Sequence, residues 1–169
     1  MSHEHMLIEL HLIPPLCFDA RGYRDDEDDV RSMLMDVCGA LDPRSKFRVS
    51  GFGQERWPVD VSCDLGIFLE QLPYALRRLQ TGQAAQIDLY EQGVERSIEW
   101  VPDGTVCVAT CRSWTDWKPE PSVETVAMRD VIEMMSTALE TFLSTMSQMA
   151  SGLLAHPWIV EWRAGLTEV

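Results

Sequence analysis

Ala85-Gln86-Ile87-Asp88-Leu89-Tyr90, Val94-Glu95-Arg96-Ser97-Ile98-Glu99-Trp100-Val101 and Thr105-Val106-Cys107-Val108-Ala109-Thr110-Cys111 are three consecutive runs with strand character. Glu91-Gln92-Gly93 and Pro102-Asp103-Gly104 separate them. Ile87 and Leu89, Ile98 and Trp100, and Val106 and Val108 sit at period two, so each run offers one apolar face. Asp-Gly is a strong hairpin signal because both residues tolerate positive φ. The three runs therefore predict an antiparallel meander.

Working outward, Leu7 to Ile13 is apolar and ends at Pro14-Pro15, which predicts a first strand. Lys46 to Phe52 alternates and predicts a second, and one or both are expected to extend the meander to four or five strands. Val30, Met33, Leu34, Val37 and Leu41 form one helix face behind the acidic run Asp25-Asp26-Glu27-Asp28-Asp29, whose aspartates suit an N-cap. Leu65, Phe68, Leu69, Leu72, Leu76 and Leu79 mark a further helix, with Ser62 as its expected cap. Pro73 should kink or divide it, since an interior proline costs about 3 kcal/mol.

Ser122 is expected to cap the longest helix, running to Leu153 over about 48 Å at 1.5 Å per residue. Its seam is Met128, Ile132, Met135, Leu139, Phe142, Met146, Met149 and Leu153, a heptad-like repeat. That seam can pack on the sheet or form a homodimer through the long helix. The other faces, with Thr137, Thr141, Ser144 and Ser147, are polar but almost uncharged, which suits burial against another surface. A short helix from His156 to Ala164 should follow. The fold class is α+β, a meander sheet packed against helices with a long C-terminal helix, in one domain over residues 1–169.

The 169 residues would bury roughly 70% of their unfolded surface, enough for a core without disulfide staples. Asp and Glu number 27 against 14 Lys and Arg, a formal charge of −13. Such a field repels phosphate backbones and anionic membranes, and it attracts cationic proteins. No basic-then-apolar leader and no long apolar span is present, so a cytoplasmic setting is expected. The five cysteines lack CxxC spacing and read as reduced, buried thiols.

Catalytic signatures are missing. No GxSxG, Walker or GxGxxG pattern occurs, and the histidines crowd the first eleven residues apart from His156. His3, His5 and His11 with Glu9 could line one strand face as metal ligands, although solvated histidines are the plainer reading. No cofactor is expected. Loop tryptophans can serve as rigid binding anchors or fold down as a lid. Trp114, Asp116 and Trp117 lie in a proline-bounded loop and are candidate anchors, with Asp25, Asp26, Glu27, Asp28 and Asp29 as candidate steering charges.

Four passages carry a resemblance. They are Gly51-Phe52-Gly53-Gln54-Glu55-Arg56-Trp57-Pro58-Val59-Asp60, Asp64-Leu65-Gly66-Ile67-Phe68-Leu69-Glu70-Gln71-Leu72-Pro73, Leu89-Tyr90-Glu91-Gln92-Gly93-Val94-Glu95-Arg96 and Cys111-Arg112-Ser113-Trp114. In style and organisation the chain resembles the immunity proteins of bacterial polymorphic toxin systems. The resemblance implies a non-enzymatic inhibitor, encoded beside a secreted toxin, that blocks a toxin with a basic surface. Such families share no common functional residues to transfer. Three alternatives stand beside it: an acidic DNA-mimic inhibitor, a small enzyme using Tyr90, Glu91 or His11, and an assembly protein oligomerising through the long helix.

Overall fold

The computed structural model describes residues 5–169, so His3 lies outside the described residues. The strands are β1 (Leu7–His11), β2 (Lys46–Ser50), β3 (Ala85–Leu89), β4 (Arg96–Asp103), β5 (Val106–Ser113) and β6 (Val123–Ala127). The helices are α1 (Val30–Ala40), α2 (Asp64–Gln80), α3 (Met128–Met149) and α4 (Pro157–Ala164), with a 3₁₀ turn over Ser151–Ala155. All strand pairs are antiparallel, and the architecture is α+β with a meander sheet packed on helices.

The meander forms as expected and runs β3-β4-β5-β6. Its fourth strand comes from the C-terminal side, however. β1 and β2 pair with each other in a separate two-stranded sheet rather than extending the meander. The tight hairpin is Gly104-Thr105, with Pro102 and Asp103 inside β4.

The expected helix from Ser122 to Leu153 is shorter at both ends. Val123 to Ala127 is strand: the β-branched Val123, Thr125 and Val126 favour it, and alternate residues bury Glu124 and expose Val123 and Thr125. α3 starts at Met128 and spans about 33 Å for its 22 residues, short enough to lie across the molecule. Met135, Phe142 and Met146 of the seam are fully buried in the chain's own core. Met128, Ile132, Leu139 and Met149 of the same seam are partly buried against that core.

Pro73 neither divides α2 nor marks a new start; the helix is continuous through it. Proline lacks the N–H that would bond the carbonyl of Leu69 four residues back. Trp162 of α4 supplies the missing donor, its indole Nε1–H reaching Leu69 O at 2.9 Å. Gly165, the left-handed C-cap of α4, lies so close to the Pro73 carbonyl that any Cβ would collide with it. The last helix therefore docks on the point where α2 is weakest. Cys63, rather than Ser62, is the N-cap of α2 and makes no side-chain cap bond. Asp60 closes the turn leading into the helix, its Oδ1 accepting from the backbone of Cys63 (2.7 Å) and Asp64 (3.3 Å), while Asp64 Oδ2 accepts from Asp60 N at 2.8 Å.

Asp29 caps α1 in a reciprocal box with Ser32, as the acidic run suggested. The two sheets are tied together by Glu124 of β6. Its buried carboxylate accepts from the backbone N–H of Met6 at 2.7 Å and of Phe52 at 2.5 Å. Phe52 and Gly53 both have positive φ in a tight turn closed by Gly51 and Gln54. Of the cysteines, Cys38, Cys107 and Cys111 are buried, whereas Cys17 is exposed and Cys63 half-buried, which corrects the reading of five buried thiols.

Candidate protein-binding surface

Leu89 of β3, Arg96 of β4 and Ser113 of β5 stand in one row across an end of the meander. The row continues one step beyond the strands, because Trp114 N donates to Glu95 O at 3.0 Å. Tyr90, Glu95 and Trp114 are thus brought together at the sheet end. Two strand spacings, about 10 Å, separate the backbones after β3 and β5.

Arg96 is the foundation of this end. Its guanidinium lies 3.7 Å from the ring centre of Trp117 and 4.7 Å from that of Trp57, and Nη1 donates to Gln54 Oε1 at 2.6 Å. Only 3% of the residue is exposed, and burial lowers its pKa from the usual guanidinium value. Flat apolar faces are a good enclosure for this weakly hydrated cation. The two indoles also meet edge-on at 5.9 Å.

Trp117 is consequently a lid over Arg96 and Trp57, not a free anchor, which corrects that part of the expectation. The physical reason is the buried cation, whose partners in two distant segments no local pattern reveals. Trp114 has the opposite fate and is 64% exposed. Its loop is braced by Lys118, whose Nζ donates to Thr115 O at 2.7 Å, and by Glu120 N donating to Phe52 O at 3.0 Å. Asp116 is exposed beside it.

The acidic run is partly spent on its own structure. Arg24 pairs with Asp26 (2.9 Å) and Glu27 (3.1 Å), and Arg21 pairs with Asp28 (2.7 Å). The Arg21 guanidinium and the Arg24 backbone N–H hold the Asp28 carboxyl down at about 2. Asp29 is occupied as the α1 cap. Asp25 makes no ion pair among the described residues. Two guanidiniums offset two of the five carboxylates, so the segment is a moderate acidic patch rather than a bare one.

A contact that the sequence did not signal joins this patch to the sheet end. Arg31, two residues after Asp29, stacks on Tyr90 at 5.2 Å and bonds to its hydroxyl. Arg31 Nε also lies 3.5 Å from Glu70 Oε2. Burial raises the Glu70 pKa, and Arg31 opposes that rise. Tyr90 remains 47% exposed. The acidic segment, Tyr90, Glu95, Trp114 and Asp116 therefore follow one another over a linked surface.

His11 is exposed on β1 opposite Lys46, while Tyr90 leans on α1, and no described contact joins them. Among the described residues no three His, Cys, Asp or Glu side chains are grouped to hold a metal. No described helix is long and apolar enough to cross a membrane. No family model, curated protein or solved structure matches the chain.

Proposed function

We propose that this protein is a non-enzymatic inhibitor of the immunity type, which neutralises a cationic toxin by covering its working surface. The observation that carries the reading is Trp114, a large aromatic held outward by a braced loop beside Asp116, on a molecule of charge −13. Exposed aromatics of this kind supply the few contacts that dominate affinity. Asp25, Asp26 and Glu27, with the rest of the net charge, supply long-range steering of a basic partner. Asp28 and Asp29 contribute field but are committed to Arg21 and to α1, and Asp26 and Glu27 share the single charge of Arg24, so that Asp25 is the one unpaired carboxylate of the run among the described residues. Tyr90 joins the contact set.

This reading requires a toxin domain encoded beside this chain's gene, and the test uses that domain as titrant. Trp114→Ala should weaken binding by about 2 kcal/mol, roughly 30-fold, through faster dissociation. Asp25→Asn with Glu27→Gln should slow association and flatten its salt dependence instead. Co-expression should protect cells from the toxin, and Trp114→Ala should reduce that protection. Unchanged affinity in all three substitutions would refute the surface, and unprotected cells would refute the function.

A further inference from the structure

The free side of β6 carries a second, independent reading. Cys111 N donates to Ser122 O at 2.8 Å, and Met128 N donates to Thr105 O at 2.9 Å. With the register of β5 and β6, these bonds turn the backbone groups of Ser122, Glu124, Val126 and Met128 toward β5. Alternation then aims the N–H and C=O of Val123, Thr125 and Ala127 away from it. β6 ends the sheet, and none of these outward groups has a hydrogen-bond partner among the described residues.

Met6 and Phe52 bond to β6 through the Glu124 carboxylate, which is buried on the core face. Val123 and Thr125 stand on the opposite face and are exposed, Val123 by 46%. The other end of the sheet is treated differently. There the Gln71 amide covers β3, donating to Asp88 O at 2.8 Å and accepting from Asp88 N at 2.9 Å. Edge strands are ordinarily blunted by such cover, by charged side chains or by proline. Val123, Thr125 and Ala127 are uncharged and β6 contains no proline, so its outward row is open to pairing.

Self-complementarity selects the occupant. The outward groups are symmetric about Thr125, so a second copy laid antiparallel pairs Val123 with Ala127, Thr125 with Thr125 and Ala127 with Val123. Each of these pairs exchanges two backbone hydrogen bonds. A charge of −13 on each copy opposes approach at long range, but the residues that meet are neutral. The flanking charges are opposite in sign. Glu120 before the strand is exposed and has no ion pair among the described residues, and Arg129 after it is exposed beside Asp130. The two-fold brings Arg129 of each copy toward the Glu120 end of the other. We propose that β6 is a homodimer edge, through which two copies of this chain join their four-stranded meanders into one continuous antiparallel sheet. This inference does not depend on the Trp114 surface.

One short strand edge buries less than about 1,200 Å², which corresponds to a weak dimer with Kd on the order of 0.1 mM. Sedimentation velocity of the full chain from about 10 µM to about 1 mM spans that constant. Over the same range the Val123 and Thr125 amides should gain protection from hydrogen exchange. Thr125→Lys and Thr125→Glu each set like charges opposite one another at the two-fold, and each should weaken association about fivefold. Mixing the two variants in equal amounts should restore it, because Lys then faces Glu. Circular dichroism checks that both variants keep the fold, and the amides of the unaltered chain report independently of them. A chain that stays monomeric at the highest concentration would overturn the proposal. So would protection gained at other segments only, or a mixture that associates no better than its components.

Discussion

Substituting Trp162→Phe isolates the device that lets α2 run through Pro73. Phenylalanine keeps an aromatic ring facing Phe142, which Trp162 meets edge-on with ring centres 6.0 Å apart. It deletes the indole N–H that satisfies Leu69 O, together with about 40 Å² of buried ring, worth about 1 kcal/mol. A buried carbonyl left without a donor costs about 1–3 kcal/mol. The total, about 3 kcal/mol, should lower Tm by about 6–12 °C in a chain of this size. Pro73→Ala provides the control, because alanine at that position returns a backbone N–H to Leu69 O. In that background Trp162→Phe should cost only the area, leaving a coupling of about 1–2 kcal/mol between the sites. Urea unfolding followed by circular dichroism in the far ultraviolet measures all four corners. Equal cost of Trp162→Phe in both backgrounds would show that the indole contributes packing alone, and the account of α2 would fail.

Glu124→Ala should cost about 2–5 kcal/mol in urea unfolding by orphaning the Met6 and Phe52 N–H groups, while Glu124→Gln, which keeps an acceptor, should cost less. The Asp28 carboxyl is depressed from 3.8 to about 2. Its contribution is therefore complete above pH 3.8 and lost as pH falls through 2, so Asp28→Asn should flatten the acid limb of a Tm-versus-pH curve across that window. Thiol titration of the native protein should label Cys17 first. Cys107 and Cys111, whose pKa values burial pushes up to about 11 and about 12, should react only on unfolding. Trp117→Ala should destabilise by about 3 kcal/mol and expose Trp57 to quenchers, whereas Trp114→Ala should leave stability within about 0.5 kcal/mol.

Local pattern was sufficient for the elements whose causes are local. The Val94–Cys111 hairpin and the α1 face behind its aspartate cap appear where alternation and capping put them, and α4 falls within the expected His156–Ala164 helix. Val123 to Ala127 misled because a helical seam follows immediately, and Ser122 offered a plausible cap. Strand formation there depends on β5 presenting an open edge and on Glu124 reaching Met6 and Phe52. Neither condition is written within the segment. The fates of Trp114 and Trp117 diverge for a related reason: nothing in their shared loop announces that Arg96 is buried underneath one of them.

Charge, the meander and the helical faces are short-range or additive properties, and a one-dimensional string carries them in full. Partner choice is different, because closing a carbonyl, a cation or a strand edge depends on which distant group happens to arrive. Trp162 reaching Leu69 and Arg31 reaching Tyr90 are both outcomes of that kind. They arise from packing the whole chain, where burial makes each unpaired polar group costly and so decides between otherwise equivalent arrangements.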